Sequence, residues 1–130
     1  MLLPADYLLL KEQGQEIEEL PDQRFLIFKD FQLPEGVYTV EKTNVMVILE
    51  KSYPDAGHDM FWLCPILSLV SGMAIPQADN SIQNVNGVNY YRWSRHWNEP
   101  HTRWQPGKSD VNTIIRRLKW ALHNPMLLKL

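Results

Sequence analysis

The chain is poor in cysteine and has no long hydrophobic run. Its 130 residues include a single cysteine, Cys64, which excludes an internal disulfide and a zinc site built from cysteine pairs. The longest apolar runs, such as residues 45–49, are far shorter than the roughly 20 residues of a membrane-spanning helix. The first residues lack the basic region and cleavage site of an export signal. We therefore expect a cytoplasmic protein that does not bind membranes.

Phosphate-binding glycine loops and metal-ligand spacings are also missing. The sequence contains no Gly-x-x-x-x-Gly-Lys or Gly-x-Gly-x-x-Gly motif, which argues against nucleotide hydrolysis and dinucleotide chemistry. The four histidines, at positions 58, 96, 101 and 123, form no His-x-x-x-His pair. We therefore predict neither a metal site nor a bound cofactor.

Charge is balanced overall but unevenly distributed. The chain carries 13 basic and 15 acidic residues, a net charge of −2, which argues against a general nucleic-acid-binding protein. Residues 92–130, however, contain eight basic and two acidic residues, a net charge of +6. This basic third either attracts an acidic partner or pairs with the acidic N-terminal part of the same fold.

The composition fits one globular domain over residues 1–130, with 45% hydrophobic and 22% charged residues. The hydrophobic pattern predicts a short N-terminal helix that ends near Gly14. Residues 24–31, 43–51 and 60–64 are rich in aromatic and β-branched residues and are bounded by turn formers, so they are predicted strands. The second of these strands has apolar residues on both faces, which is typical of a central strand.

The C-terminal part divides into an irregular segment and a helix. Residues 69–104 contain many glycine, proline and asparagine residues and no persistent repeat, so we predict a long irregular segment there. An amphipathic helix is predicted to follow, with Ser109 as its N-cap, and to stop before Pro125. Arg116, Arg117 and Lys119 lie off its apolar stripe.

The densest group of reactive side chains lies at residues 90–97. Ser94 is a candidate nucleophile, His96 is a candidate base or orienting group, and Arg92 and Arg95 are candidates for stabilising an oxyanion. In an extended segment, residues 94 and 96 point to the same side. The Ser-x-His spacing is common, however, and the same residues are compatible with a surface loop that tryptophans hold in place.

Three tryptophans and the lone thiol complete the candidate site. We expect Trp93, Trp97 and Trp104 to support the segment structurally. Cys64 is the alternative nucleophile, since thiolates are stronger nucleophiles than hydroxyls at neutral pH, but its apolar strand favours a packing role. A third reading, in which tryptophans and basic residues stack on single-stranded nucleic acid, disagrees with the negative net charge.

Four segments, in this order and spacing, carry a family resemblance. They are Tyr-Pro-Asp-Ala at 53–56, Asp-Met-Phe-Trp at 59–62, Arg-Trp-Ser-Arg-His-Trp at 92–97 and Trp-Gln-Pro-Gly at 104–107. Together they resemble the bacterial family E of ubiquitin-conjugating-enzyme-like proteins. The resemblance implies an α+β fold with an N-terminal helix, an antiparallel meander sheet, a long irregular active-site segment and a C-terminal amphipathic helix.

The resemblance also implies a function and partners. A conjugating enzyme accepts the C-terminal acyl group of a ubiquitin-like protein on its nucleophile and passes it to an acceptor. The implied partners are a ubiquitin-activating-type adenylating enzyme, the ubiquitin-like protein itself and a JAB-type metallopeptidase of the same bacterial pathway.

Two departures from the family pattern affect this interpretation. Conjugating enzymes carry their cysteine upstream of a Trp-x-Pro segment, whereas the matching interval here contains no cysteine and has Ser94 as its most central hydroxyl. The resemblance therefore implies a serine oxyester, with a catalytically inactive scaffold as the alternative. In addition, Gly57 and His58 replace the Pro-Pro that is expected after Tyr-Pro.

Overall fold

The computed structural model describes residues 1–79 and 81–130. In these residues, two helices accompany one six-stranded antiparallel sheet with the strand order β1-β2-β3-β4-β6-β5. The elements are α1 (Pro4–Glu12), β1 (Ile17–Leu20), β2 (Phe25–Gln32), β3 (Lys42–Ile48), β4 (Phe61–Cys64), β5 (Ile82–Val85), β6 (Val88–Trp93) and α2 (Val111–His123). The α+β class that the sequence predicts is confirmed.

The first helix begins and ends where its sequence directs. Pro4 occupies the first turn, where its missing N–H is not needed, and Asp6 accepts the backbone N–H of Leu3 at 2.9 Å. At the other end, Gly14 has a φ of +67°, a left-handed conformation that glycine adopts without strain. The predicted helix end near Gly14 is confirmed.

The three predicted strands are present as β2, β3 and β4. In β3, Val45 and Val47 are fully buried in the main core, while Met46 between them is fully buried in a smaller cluster. Because side chains alternate between the faces of a strand, the two clusters lie on opposite faces of the sheet. This confirms β3 as a central strand.

Two strand regions were not predicted. β1 is a four-residue edge strand with two glutamates in the middle, too short for its alternation to be recognised. β5 and β6 form a hairpin inside the segment predicted to be irregular, turning at Asn86 and Gly87, both with positive φ, as a tight hairpin turn requires. The irregular prediction was therefore wrong for residues 82–93. Asn80, one of its turn formers, lies outside the described residues.

The second helix is present as predicted, but its N-cap is Asp110 and not Ser109. The Asp110 carboxylate accepts the Asn112 N–H at 2.9 Å, while Ser109 Oγ accepts the Gln105 N–H at 2.8 Å in the preceding turn. Both side chains satisfy backbone donors, and the carboxylate lies closer to the first helical turn. The N-cap prediction was wrong by one residue.

The main core forms where the helices meet one face of the sheet. It contains Leu10 of α1, Ile114 and Leu118 of α2, and Phe28 and Val45 of the sheet, all at most 2% exposed. No helix in the described ranges is long and apolar enough to cross a membrane.

Candidate functional site

Three tryptophans hold the segment after β6 against the rest of the fold. The Trp93 side chain is 1% exposed in the main core. Trp97 Nε1 donates to the carbonyl oxygen of Asp59 at 2.8 Å, and Trp104 Nε1 donates to that of Pro54 at 2.8 Å. These contacts fix residues 93–104 onto the turn between β3 and β4.

Trp104 packs against a backbone that has no side chain at the point of contact. A Cβ placed on Gly57 would lie 2.2 Å from Trp104 Cε3, so only glycine allows this approach. The ring of Tyr53 lies 5.9 Å from that of Trp104, centroid to centroid. The glycine that departs from the family's Pro-Pro pattern thus creates the contact surface for this indole.

Arg117 lies between two of the indoles. Its guanidinium donates to the carbonyl oxygens of Thr102, at 2.6 Å, and His58, and its Cζ lies 5.1 Å from the ring of Trp97 and 5.4 Å from that of Trp104. Burial lowers its pKa to about 10, so it stays cationic at neutral pH. Although Arg117 lies off the apolar stripe of α2, it is only 4% exposed, because its charge is satisfied by carbonyls and aromatic faces.

His58, which replaces the second proline of the expected Pro-Pro pair, is buried beside Trp97 and Arg117. It is 1% exposed, and its ring contacts the Trp97 ring edge-on at 5.7 Å. Burial, helped by the nearby positive charge of Arg117, lowers the pKa of His58 to about 3. Neither ring nitrogen has a hydrogen-bond partner in the part of the chain that the structure describes. The imidazole is therefore neutral at pH 7 and withdrawn from solvent.

Ser94 lies directly after the last residue of β6. Its backbone N–H donates to the carbonyl oxygen of Gln77 at 2.9 Å, and the residue is partly exposed. No hydrogen bond joins Ser94 and His96 in the described residues; His96 is exposed, and its backbone pairs with Leu128 and Leu130. The serine is accessible, and the proposed base is two residues away without a direct bond.

The two arginines of this segment differ in their surroundings. Arg95 is 1% exposed, and its guanidinium donates to the carbonyl oxygens of Pro76, Ser94 and Pro125 at 2.8–3.0 Å. Burial lowers its pKa to about 10. Arg92 is half-buried on β6, opposite Trp62 of β4. The two terminal nitrogens of Arg95 are therefore bonded to backbone carbonyls of Ser94 and of two neighbouring loops, whereas its Nε has no hydrogen-bond partner in the described residues.

Cys64 lies at the far end of the same strand pair. β4 and β6 are antiparallel, with Phe61 beside Trp93, so Ser94 is level with Met60 and the four residues from Met60 to Cys64 separate it from the thiol by about 13 Å along the strands. Burial raises the pKa of the Cys64 thiol, which disfavours the nucleophilic thiolate. The two candidate nucleophiles do not share one site.

The comparisons with known proteins identify the family. The model of prokaryotic E2 family E matches residues 2–125. The chain belongs to prokaryotic E2 family E. No curated protein and no solved structure matches the chain. The resemblance that the four sequence segments indicate is confirmed, and membership implies interaction with an activating enzyme and a ubiquitin-like protein.

In this family E protein, the basic C-terminal third does not pair with the acidic N-terminal part. The two ion pairs among residues 1–79 and 81–130 join Lys29 to Glu18 and Lys42 to Asp30, and neither involves the basic third. Of the two possibilities that the sequence left open, direct intramolecular pairing is not realised in the described residues.

Sequence reasoning did not single out Thr102 or Asn98, which together with Glu99 bind Leu130 beside the candidate segment. The Leu130 carbonyl oxygen accepts the N–H groups of Asn98, at 2.5 Å, and Glu99, at 2.9 Å, and the Thr102 hydroxyl at 2.8 Å. The partners lie 28 residues apart or more in sequence, so no spacing signal could have revealed them. In the described residues, no group of three His, Cys, Asp or Glu side chains is arranged to hold a metal ion.

Proposed function

We propose that this family E protein is an acyl carrier that accepts the C-terminus of a ubiquitin-like protein on Ser94 as an oxyester and passes it to an acceptor. The observation that carries the proposal is the family match over residues 2–125, because accepting and passing on an acyl group is the chemistry of conjugating enzymes. The partial exposure of Ser94, on a segment anchored by three indoles, supports its assignment as the nucleophile.

The transfer is a substitution at a carbonyl carbon. The Ser94 oxygen attacks the acyl carbonyl that the activating enzyme carries as a thioester, the C–O bond forms, the C–S bond breaks, and the thiolate leaves on the activating enzyme. The hydroxyl proton passes to His96, which requires the two side chains to come together when the partner binds, since catalytic hydrogen bonds often tighten only in the complex.

The arginines take different roles in this proposal. Arg92 supplies positive charge near the developing oxyanion. Arg95 acts as a positioning residue, because its guanidinium bonds to the carbonyl of Ser94 itself and to two neighbouring loops. The JAB-type metallopeptidase is proposed as a further member of the same pathway.

A catalytically inactive scaffold is the second candidate function. The observation that favours it is that neither nucleophile is activated: burial raises the pKa of Cys64, and within the described residues no base is hydrogen-bonded to Ser94. Such a protein would bind the ubiquitin-like protein or the activating enzyme without forming a covalent bond.

Intact-mass analysis distinguishes the two. The protein is mixed with the activating enzyme, the ubiquitin-like protein and ATP, and wild type is compared with Ser94→Ala, Cys64→Ala and the matched control Ser68→Ala, which changes an exposed serine elsewhere. Acyl carriage on Ser94 predicts an adduct in every form except Ser94→Ala. Loss of the adduct only in Cys64→Ala would transfer the role to the thiol, and no adduct in any form would support the scaffold.

A further inference from the structure

A cleft of about 920 Å³ lies between the end of α1, the end of β2 and the outer face of α2, well separated in sequence from the candidate nucleophile. We name it the basic groove, because its titratable lining residues are Arg116, Lys119 and His123 of α2 and no acidic side chain lines it. These three residues follow one another at spacings of three and four, which places them on one side of the helix.

The cations of the groove are not neutralised within the described residues. The two ion pairs there involve Lys29 and Lys42, so no carboxylate lies within 4.0 Å of the Arg116 or Lys119 side-chain nitrogens. Arg116 donates to the carbonyl oxygen of His101 at 3.2 Å, a contact that orients the guanidinium and leaves its charge uncompensated. The groove is thus a positively charged concave surface.

Apolar and amide groups complete its lining. Phe31 and Ile115 contribute apolar surface, and Trp120, which is 40% exposed, contributes its indole ring. The Trp120 ring also contacts the His101 ring edge-on, with a centroid distance of 4.5 Å. Four amide side chains line the remainder, and one of them, Gln13, donates to Asn112 at 2.7 Å and joins α1 to α2. Side-chain amides both donate and accept, as a bound peptide backbone requires.

We propose that the basic groove binds an extended acidic segment of a partner protein, with carboxylates on Arg116 and Lys119 and an apolar side chain against Trp120. Charge complementarity selects the occupant: a groove in which the charged side chains are cations and none is acidic attracts an acidic segment and repels a basic one. The uncharged amides favour a peptide over a nucleic acid, whose closely spaced phosphates would call for more cations. This inference goes beyond the proposed acyl transfer and does not depend on Ser94.

Fluorescence anisotropy with a labelled peptide, Asp-Glu-Leu-Glu-Asp-Phe-Glu, tests the proposal. We expect saturable binding that weakens as salt is raised, because exposed charges are screened. The double variant Arg116→Gln/Lys119→Gln should bind about tenfold more weakly or worse. The matched control Lys51→Gln/Lys108→Gln, which removes two exposed cations outside the groove, should stay within about twofold of wild type.

Three results of the peptide measurements would overturn the proposal. They are no saturable binding to the folded wild type, equal weakening in both double variants, and equal binding of the Asn/Gln version of the peptide. A fourth arm uses an oligouridylate of the same length: tighter binding than the peptide, lost in Arg116→Gln/Lys119→Gln, would assign the groove to nucleic acid and contradict the proposal. The Ser94 adduct is measured separately, so failure here leaves that experiment unaffected.

Discussion

At the residue scale, Gly57 has no room for a side chain. Replacement by alanine forces a Cβ to within 2.2 Å of Trp104 Cε3, and the ring is held by its bond to Pro54. We expect Gly57→Ala to destabilise the protein by about 1–3 kcal/mol, as overpacking of a dense core does, measured by urea denaturation.

The matched control for this prediction is the double variant Gly57→Ala/Trp104→Phe. A smaller ring leaves room for the new methyl group, so the cost of the alanine should shrink in the Trp104→Phe background. An unchanged denaturation midpoint in the single variant would show that the indole is free to move away.

His58 makes stability depend on pH. Its pKa is about 3 in the folded protein and about 6.5 in the unfolded chain, so between these values only the unfolded state takes up the proton. The stabilisation is complete above pH 6.5 and is lost as the pH falls towards 3, with a slope approaching 1.4 kcal/mol per pH unit. Urea denaturation at several pH values between 6.5 and 5 measures this slope.

A phenylalanine at this position cannot titrate, so His58→Phe should flatten the profile. The exposed His96, changed to glutamine, serves as the control and should leave the slope of wild type in place. Identical slopes in wild type and His58→Phe would exclude the buried imidazole as the source.

At the scale of elements, Asp6 joins the two helices to the turn between β3 and β4. Its buried carboxylate accepts the Tyr53 hydroxyl at 2.6 Å and the Val111 N–H at 3.3 Å, and it also accepts the Leu3 N–H. An asparagine has one acceptor oxygen in place of two, so Asp6→Asn leaves a buried donor without its partner. We expect a loss of about 1–3 kcal/mol.

Thermal denaturation checks the Asp6 prediction, with exposed Asp22→Asn as the control for removing one negative charge. The control should stay within about 0.5 kcal/mol of wild type. Equal effects of the two changes would mean that the Asp6 bonds contribute nothing beyond charge.

The same scale shows which elements the sequence predicts and why. β3 can be predicted from the sequence because Val45 and Val47 recur at the two-residue period of a strand. α2 can be predicted because its buried residues, such as Leu118, recur at helical spacing. The β5–β6 hairpin cannot be predicted from the hydrophobic pattern, because its apolar residues Ile82 and Val88 are exposed and its sequence is rich in asparagine. Its pairing with β4 stabilises it through contacts that lie far away in sequence.

At the scale of the whole molecule, the sequence predicts the family and the location of the candidate segment but not its internal geometry. Ser94 and His96 are separated by one residue, yet no hydrogen bond joins them, and the His96 backbone pairs with Leu128 and Leu130. Likewise, the Arg95 guanidinium donates hydrogen bonds to the carbonyl oxygens of Pro76 and Pro125, which lie in two loops far from it in sequence. Spacing specifies neighbours along the chain, whereas these bonds depend on segments that only folding brings together.

Locating the adduct on the chain shows whether Ser94 carries the acyl group. Wild-type protein is incubated with the activating enzyme, the ubiquitin-like protein and ATP, digested under mildly acidic conditions, and mapped by tandem mass spectrometry. We predict the C-terminal residues of the ubiquitin-like protein in ester linkage on the peptide that contains Ser94. A linkage on Cys64, or unmodified peptides throughout despite a charged activating enzyme, would contradict the claim.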